Sequence, residues 1–144
     1  MERAQQTAAP ISVATNRKIH IHEGLNECDF GRWTGRRLKS LYKLPAWKVV
    51  QRTPSNFRFP DGESFLEMQS RIVGTLGELA HQHRGKTIVA VSHADTIKAA
   101  LAHCLGMHLD MFQRLTISPA SQTTIQLVVA PSGVATPMVM SVNS

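Results

Sequence analysis

A short β-branched apolar run from Thr87 to Val91 predicts a strand that is buried on both faces, as the strands of parallel sheets are. A polar turn from Ser92 to Asp95 follows it. Beyond the turn, apolar residues recur at helical spacing as far as Gly106, and either Asp95 or Thr96 is placed to cap that helix. The pattern therefore predicts a strand, a turn and a helix, which brings a strand end next to the free amides of a helix.

The longest helix is predicted just before this unit. It opens at Pro60-Asp-Gly-Glu-Ser64 and ends between His81 and Gly85. Its apolar residues are spaced three or four apart, as in a helix that lies against a sheet: Phe65, Met68, Ile72, Leu76 and Leu79. A shorter amphipathic helix is expected around residues 38–42 and should stop at Pro45, and residues 47–60 are expected to be irregular.

The two ends of the chain complete the predicted pattern. Residues 2–9 are typical of the inside of a helix, and Lys18 to His22 alternates as a short strand does. Residues 123–130 and 134–142 predict two strands that are joined by a tight turn. Strands alternating with helices predict an α/β fold of three layers around a largely parallel sheet.

Length and composition predict one globular domain. The chain has 144 residues, of which 42% are hydrophobic and 18% charged. No run of about 18 apolar residues occurs, and the first residues do not form a signal peptide, so we expect no membrane partner and a cytoplasmic location. Cys28 and Cys104 fit neither a disulfide framework nor a metal-ligand spacing, and we expect both to be reduced packing residues.

The distribution of charge points to anionic ligands. The formal net charge is +6, and residues 30–60 contain eight basic side chains and no acid. Such a segment attracts phosphorylated metabolites or nucleic acid. No helix-turn-helix, zinc or RNA-binding signature accompanies the charge, so we expect no nucleic-acid partner. A solvated surface without a ligand remains an alternative for this segment.

His93 is the first candidate site residue. It lies in the turn between the predicted strand and helix, and Asp95 follows two residues later. The carboxyl end of a strand beside a helix start is where anions bind in open α/β sheets. The alternative is that both are ordinary polar turn residues.

Four motifs, in this order and spacing, resemble those of the histidine phosphatase superfamily, which includes the phosphoglycerate mutases and broad-specificity phosphatases. They are Glu2-Arg3-Ala-Gln-Gln-Thr-Ala8, Leu25-Asn-Glu-Cys-Asp-Phe-Gly31 with Trp33-Thr-Gly35, Pro60-Asp-Gly-Glu-Ser64, and Val91-Ser-His-Ala-Asp95. The resemblance covers nearly the whole chain. It implies a phosphoglycerate mutase-like fold, a small phosphorylated molecule as ligand, and neither metal nor cofactor.

The resemblance also implies roles for individual residues. Arg3 matches the arginine that grips the phosphate, and Glu27 matches the acid that protonates the leaving oxygen and then activates water. His93 matches the second family histidine, whose imidazolium stabilises charge on the transferred phosphoryl group. Asp95 lies where some branches carry a further acid at the substrate. Glu63 matches a motif that starts a helix and supports the site.

One departure from the family pattern affects the chemistry. The family's nucleophile is a histidine in an Arg-His-Gly turn after the first strand, and this sequence contains no Arg-His-Gly. The resemblance thus implies a single incomplete domain over residues 1–144, which lacks the first strand, the first helix and the second strand. Without its neighbour, the strand at Thr87 to Val91 would expose an apolar edge, so we expect a homo-oligomer in which another copy covers it.

Three functions follow from these observations. The first is hydrolysis of small phosphomonoesters through a phosphohistidine, in a form of the protein that holds the nucleophile. The second is non-catalytic binding of phosphorylated ligands by a remnant that keeps Arg3 and His93. The third is metal-dependent hydrolysis through His20, His22, His93 and Asp95.

Overall fold

The computed structural model describes residues 2–144 and consists mainly of helices. Helix α1 spans Glu2–Thr15, α2 Leu38–Leu41, α3 Pro45–Arg52, α4 Phe65–Gln82 and α5 Ala94–Cys104. Strands β1 (Thr124–Val129) and β2 (Ala135–Ser141) pair antiparallel near the end of the chain. Single 3₁₀ segments lie at Glu23–Leu25, Gly31–Trp33, Pro54–Asn56 and Leu109–Arg114.

Helix α4 begins where the sequence predicts it, because Ser64 forms a capping box. The Ser64 hydroxyl accepts a hydrogen bond from the main-chain N–H of Glu67, and the Glu67 carboxylate accepts one from the main-chain N–H of Ser64. The apolar stripe of α4 is buried at Phe65, Met68 and Ile72. Helix α4 packs against α5, and this pair forms the centre of the molecule.

The core lies between α4, α5 and the segment from Cys28 to Phe59. An aromatic chain runs through it, in which each neighbouring pair of rings is separated by 4.9–5.4 Å between centroids: Trp33, Phe57, Phe59, Phe65 and Phe112. The buried Cys28 carries a free thiol, which agrees with its predicted role in packing.

Residues 47–60 were predicted to be irregular, but the first part of this segment, residues 47–52, is helical. Pro45 does not only end the short helix before it; it also opens α3, in which it occupies the first turn. Proline suits that position because the first amides of a helix have no internal acceptor. Val50 on α3 is buried in the core, so the basic segment is anchored rather than irregular.

The predicted strands at Thr87–Val91 and Lys18–His22 are not formed within residues 2–144. A strand needs a hydrogen-bonded neighbour, and no main-chain hydrogen bond joins Thr87–Val91 to any other segment described by the structure. Ile88 and Val89 are exposed instead of buried. The only sheet in residues 2–144 is the antiparallel pair β1–β2, so these residues do not form the predicted parallel three-layer sheet. The two terminal strands are confirmed.

Helix α5 begins two or three residues earlier than predicted. Its N-cap is His93, whose side chain makes no capping hydrogen bond, rather than Asp95 or Thr96. Gly106 follows the helix in a left-handed conformation, as predicted, with φ of 65°. Within residues 2–144, no helix combines the length and the apolarity needed to cross a lipid bilayer.

Candidate active site

Glu27 lies in a loop that is held between α4 and α5. Its Oε1 atom accepts hydrogen bonds from the main-chain N–H of Cys28 at 3.0 Å and from the Thr96 hydroxyl at 3.2 Å. The side chain is half-buried. These two donors hold one carboxylate oxygen in place.

Burial raises the pKa of Glu27 above its ordinary value. The hydrogen bond from Cys28 opposes this effect, and the nearby negative charge of Asp95 adds to it. A carboxyl with a raised pKa keeps its proton to a higher pH than an exposed glutamate does. Glu27 therefore has the electrostatic setting of a general acid.

His93 occupies the N-cap of α5, next to the free amides of the first helical turn. Its side chain is half-buried, and burial lowers its pKa below the ordinary value. The positive charge of the exposed Arg3, at the start of α1, lowers the pKa of His93 further. An anion placed between these two side chains would favour the imidazolium form.

Asp95 is partnered within its own helix. Its carboxylate lies 3.1 Å from the Lys98 ammonium group, and that ammonium group also contacts Gln113. Asp95 is close enough to Glu27 for its charge to raise the pKa of that carboxyl. Among the predicted residues, the electrostatics thus link Glu27 with Asp95 and Arg3 with His93.

The histidines of the metal hypothesis do not meet. The Nδ1 atom of His22 accepts a hydrogen bond from the N–H of Gly24 at 3.2 Å and caps a 3₁₀ turn, whereas His20 is exposed. Across residues 2–144, no three side chains of His, Cys, Asp or Glu are grouped as metal ligands. The four residues of the metal alternative, His20, His22, His93 and Asp95, are therefore not brought together as a ligand set in the part of the chain that the structure describes.

An open pocket of about 540 Å³ lies beside the Glu27 loop. Its lining combines carboxylates with one guanidinium group: Glu23, Asn26, Glu27, Asp29, Gly62, Glu63 and Arg71. A second, smaller depression of about 260 Å³ belongs to the basic segment and is lined by Arg37, Lys39, Ser40 and Lys43. This pocket borders Glu27, whereas Arg3, His93 and Asp95 are not among the residues that line it.

The sequence did not single out Arg71, although it contacts the Glu27 loop directly. Its Nε and Nη2 atoms each donate to a carboxylate oxygen of Glu63 at 2.8 Å. Arg71 stands three residues after Met68 and four before Thr75, both buried positions on α4. A charged residue on the buried side of an amphipathic helix was the available signal for a partnered site.

The sequence matches the histidine phosphatase superfamily, branch 1, over residues 1–130. The chain belongs to the histidine phosphatase superfamily. It is 27% identical over 137 residues to phosphoserine phosphatase 1 of Hydrogenobacter thermophilus, an alignment that covers 88% of this chain and 61% of the relative. It is 29% identical over 132 residues to a probable phosphoglycerate mutase, GpmB, of an Enterobacter species, with 90% of this chain and 61% of the relative covered.

Several solved structures have the same fold as this chain. A structure described as mycobacterial hydrolase 2 superposes with a TM-score of 0.83 at 21% identity, covering 98% of this chain and 66% of that one. Mycobacterial glucosyl-3-phosphoglycerate phosphatase with inorganic phosphate gives a TM-score of 0.80 at 20% identity, covering 98% and 72%. The predicted α/β, phosphoglycerate mutase-like fold is confirmed. The chain spans about three fifths of the length of the two curated relatives named above.

Proposed function

We propose that this chain carries the acid and phosphate-binding half of a phosphatase site that acts on small phosphomonoesters. The observation that supports this function best is the placement of Glu27: a half-buried carboxyl with a raised pKa, held by two hydrogen bonds beside an open pocket. The similarity to phosphatases supports the substrate class, since the related proteins named above include a phosphoserine phosphatase and a glucosyl-3-phosphoglycerate phosphatase.

In this proposal, Arg3 and His93 bind the phosphoryl group. His93 stands where the amides of the α5 N-terminus are free, and Arg3 supplies a planar guanidinium group with paired donors. Asp95 lies on the substrate side, and its negative charge adds to the effect of burial, which raises the pKa of the Glu27 carboxyl. No step requires a metal, because the cationic side chains supply the positive charge.

The chemistry requires a nucleophile. A histidine nitrogen attacks the phosphorus atom, the bond to the leaving oxygen breaks, and Glu27 gives that oxygen its proton. Glu27 then takes a proton from water, which attacks the phosphohistidine and releases inorganic phosphate. The 144 residues contain no Arg-His-Gly turn. We therefore propose turnover for a form of the protein that holds this turn, and phosphate binding for the chain itself.

The second candidate is a non-catalytic module that binds phosphorylated ligands. The absence of Arg-His-Gly from these 144 residues favours it, since binding of an anion by Arg3 and His93 needs no nucleophile. Both candidates predict phosphate binding, and only turnover separates them.

Two measurements on the same protein test the proposal. The first is titration calorimetry with inorganic phosphate, and the second is hydrolysis of an aryl phosphate with a chelator present. Each is carried out on wild type, His93→Ala, Glu27→Gln and, as a matched control, the exposed His83→Ala. Phosphate binding that is lost only in His93→Ala supports the site, whereas equal binding by wild type and His93→Ala would contradict it. Chelator-resistant turnover that is lost in His93→Ala would mean that a histidine within these residues does the nucleophilic or charge-stabilising work, and loss of turnover in Glu27→Gln would support Glu27 as the acid.

We also propose that a second copy of the chain completes the sheet and makes it largely parallel. The apolar side chains of the two unpaired segments support this: Ile19, Ile21, Ile88 and Val89 are all exposed. Helix α1 likewise has no buried residue. Unpaired extended segments with apolar side chains favour pairing with another chain.

Light scattering after size-exclusion chromatography tests this assembly. Val89 and Val134 are similarly exposed, at 65% and 62%, but Val134 lies in the turn of the terminal hairpin. We expect an oligomer for wild type and for the control Val134→Lys, and its loss in Val89→Lys. A folded, monodisperse wild-type monomer would contradict the proposal.

A further inference from the structure

Arg71 joins helix α4 to the loop that carries Glu27. Its Nη1 atom donates to the main-chain oxygens of Gly24 at 2.9 Å and of Asn26 at 3.0 Å, and Nη2 reaches the main-chain oxygen of Glu27 at 3.4 Å. The remaining donors pair with both carboxylate oxygens of Glu63. Every guanidinium nitrogen of Arg71 is therefore engaged.

The same loop is tied to α5 from its other side. The Ser92 hydroxyl donates to the main-chain oxygen of Leu25 at 2.7 Å, and the Thr96 hydroxyl donates to that of Asn26 at 2.9 Å. All four consecutive carbonyls from residue 24 to residue 27 thus accept a hydrogen bond from a side chain. Side chains from α4 and from the start of α5 thus supply the donors that the carbonyls of this loop need.

We propose that Arg71 is a positioning residue that holds the Glu27 loop against α4 and thereby sets the place of the Glu27 carboxyl group. The inference rests on the proposed role of Glu27 as the acid. Arg71 contacts Glu27 only through its main chain and does not touch the reacting carboxyl group. Its effect on Glu27 is therefore one of position.

The geometry requires an arginine. One planar group directs donors to a carboxylate on one edge and to carbonyls on the other, which a lysine ammonium group cannot do. Glu63 orients the guanidinium group of Arg71. The Glu63 side chain is 15% exposed and the Arg71 side chain is 26% exposed, so neither charge is fully solvated. The bonds to Glu63 raise the pKa of Arg71, which keeps it charged at every working pH.

Substitution of Arg71 by lysine tests the proposal, because the charge stays and only the geometry changes. Arg84 offers a matched control, since its Nη2 donates to the main-chain oxygen of Val129 at 2.7 Å, away from the Glu27 loop. The readout is the pH titration of the Glu27 carboxyl carbon by NMR. We expect Arg71→Lys to lower the pKa of Glu27 towards its ordinary value, because a released loop exposes the carboxyl to water, and Arg84→Lys to leave it unchanged.

The second readout is turnover of an aryl phosphate by the same variants. Where wild type turns over, we expect Arg71→Lys to reduce kcat at least about tenfold with little change in KM, as for a misplaced general acid. An unchanged Glu27 titration in a folded Arg71→Lys protein would overturn the inference, whether or not wild type is active. Absence of turnover in wild type would count against the phosphatase function alone, since the titration of Glu27 needs no substrate.

A second variant covers the case in which Arg71→Lys does not fold. Glu63→Gln removes the carboxylate charge but keeps an acceptor for one of the Arg71 donors. We expect Glu63→Gln to lower the pKa of Glu27 as well, but by less than Arg71→Lys does. A folded Glu63→Gln protein with the wild-type Glu27 titration would also overturn the inference, because the guanidinium group of Arg71 would then need no orientation by Glu63.

Discussion

The Thr96 hydroxyl lies 2.9 Å from the main-chain oxygen of Asn26 and 3.2 Å from Oε1 of Glu27, so its one proton is shared between the two acceptors. Thr96 is completely buried. It therefore connects the first turn of α5 to the loop of the candidate acid, while its methyl group fills the core. A change at Thr96 should alter both the stability of the fold and the protonation of Glu27.

Substitution of Thr96 by valine should separate these two effects. Valine keeps the shape and removes the hydroxyl, so we expect a loss of about 1–3 kcal/mol in the free energy of unfolding. The pKa of Glu27 should rise further, because the hydrogen bond from Thr96 favours the ionised carboxylate. Thr96→Ser keeps the hydroxyl; it should cost about 1 kcal/mol for the lost methyl group and leave the pKa of Glu27 in place. Urea denaturation and NMR titration measure both quantities, and equal titration of Glu27 in the two variants would contradict this assignment.

Gly24 is required by its contact with α4. A Cβ atom at Gly24 would lie 1.9 Å from Oγ1 of the buried Thr75. The main chain fixes the position of that Cβ atom, so Thr75 or the loop would have to move. We expect Gly24→Ala to destabilise the protein by about 1–3 kcal/mol through overpacking and to lower the thermal midpoint. Gly74 on α4 is the control: a Cβ atom there meets nothing within 4 Å. Gly74→Ala should stabilise the protein by about 0.5–1 kcal/mol, and a loss of stability there would contradict this account of α4.

The sequence predicted the helices that carry their own signals. Helix α4 is an example, because its capping box and its apolar stripe are local and agree with each other. The terminal hairpin is another, since its two strands find their partners across a short turn. Neither element depends on a distant part of the chain.

The strand at Thr87–Val91 shows why the rest was less predictable. Its apolar, β-branched composition is that of a buried strand, but a strand is formed only when a neighbour supplies hydrogen bonds. In residues 2–144 no neighbour does so, and Val89 stays exposed. Composition records which environment a segment suits and does not show whether that environment is present.

The residues of the candidate site also divide into those that local motifs indicate and those whose roles depend on distant contacts. Glu27 and His93 were found through motifs, since each stands in a short stretch typical of the family. Arg71 and Thr96 were not assigned to the site, because their roles depend on contacts with a loop that lies 44 or more positions away in sequence. Such contacts follow from the packing of α4 and α5, which no local pattern specifies.

Lowering the pH should reveal how much Glu67, at the start of α4, contributes to the stability of the protein. The Arg58 guanidinium group pairs with Glu67, and this pairing, with the hydrogen bond from Ser64, lowers the pKa of Glu67 to about 2. A lowered pKa means that the stabilisation is complete above the ordinary pKa of about 4.5 and is lost as the pH falls towards 2. Thermal melts should thus show wild type above Glu67→Gln at pH 7 and the two together near pH 2. Glu78→Gln, at an exposed position later on the same helix, is the matched control.

The protonation of His93 should report phosphate binding. In the free protein, burial and the charge of Arg3 keep the pKa of His93 below its ordinary value, so the imidazole is neutral at pH 7. A bound phosphate dianion would favour the imidazolium, and we expect saturating inorganic phosphate to raise the pKa of His93. By linkage, the affinity for the phosphate dianion, calculated from the concentration of that species, should increase as the pH falls from 8 to 6. Histidine ring NMR follows His93 directly, with His108 as a reference, since it is exposed and pairs with Asp110 away from the Glu27 loop.

The variant Arg3→Gln distinguishes the contribution of Arg3 to phosphate binding from that of His93. Removal of its positive charge should raise the pKa of His93 in the free protein, because one source of repulsion is lost. The same variant should bind phosphate more weakly, because the anion loses a guanidinium partner. A raised pKa together with unchanged phosphate affinity would show that Arg3 lies near His93 without contacting the ligand. That result would assign phosphate binding to His93 and the α5 amides alone.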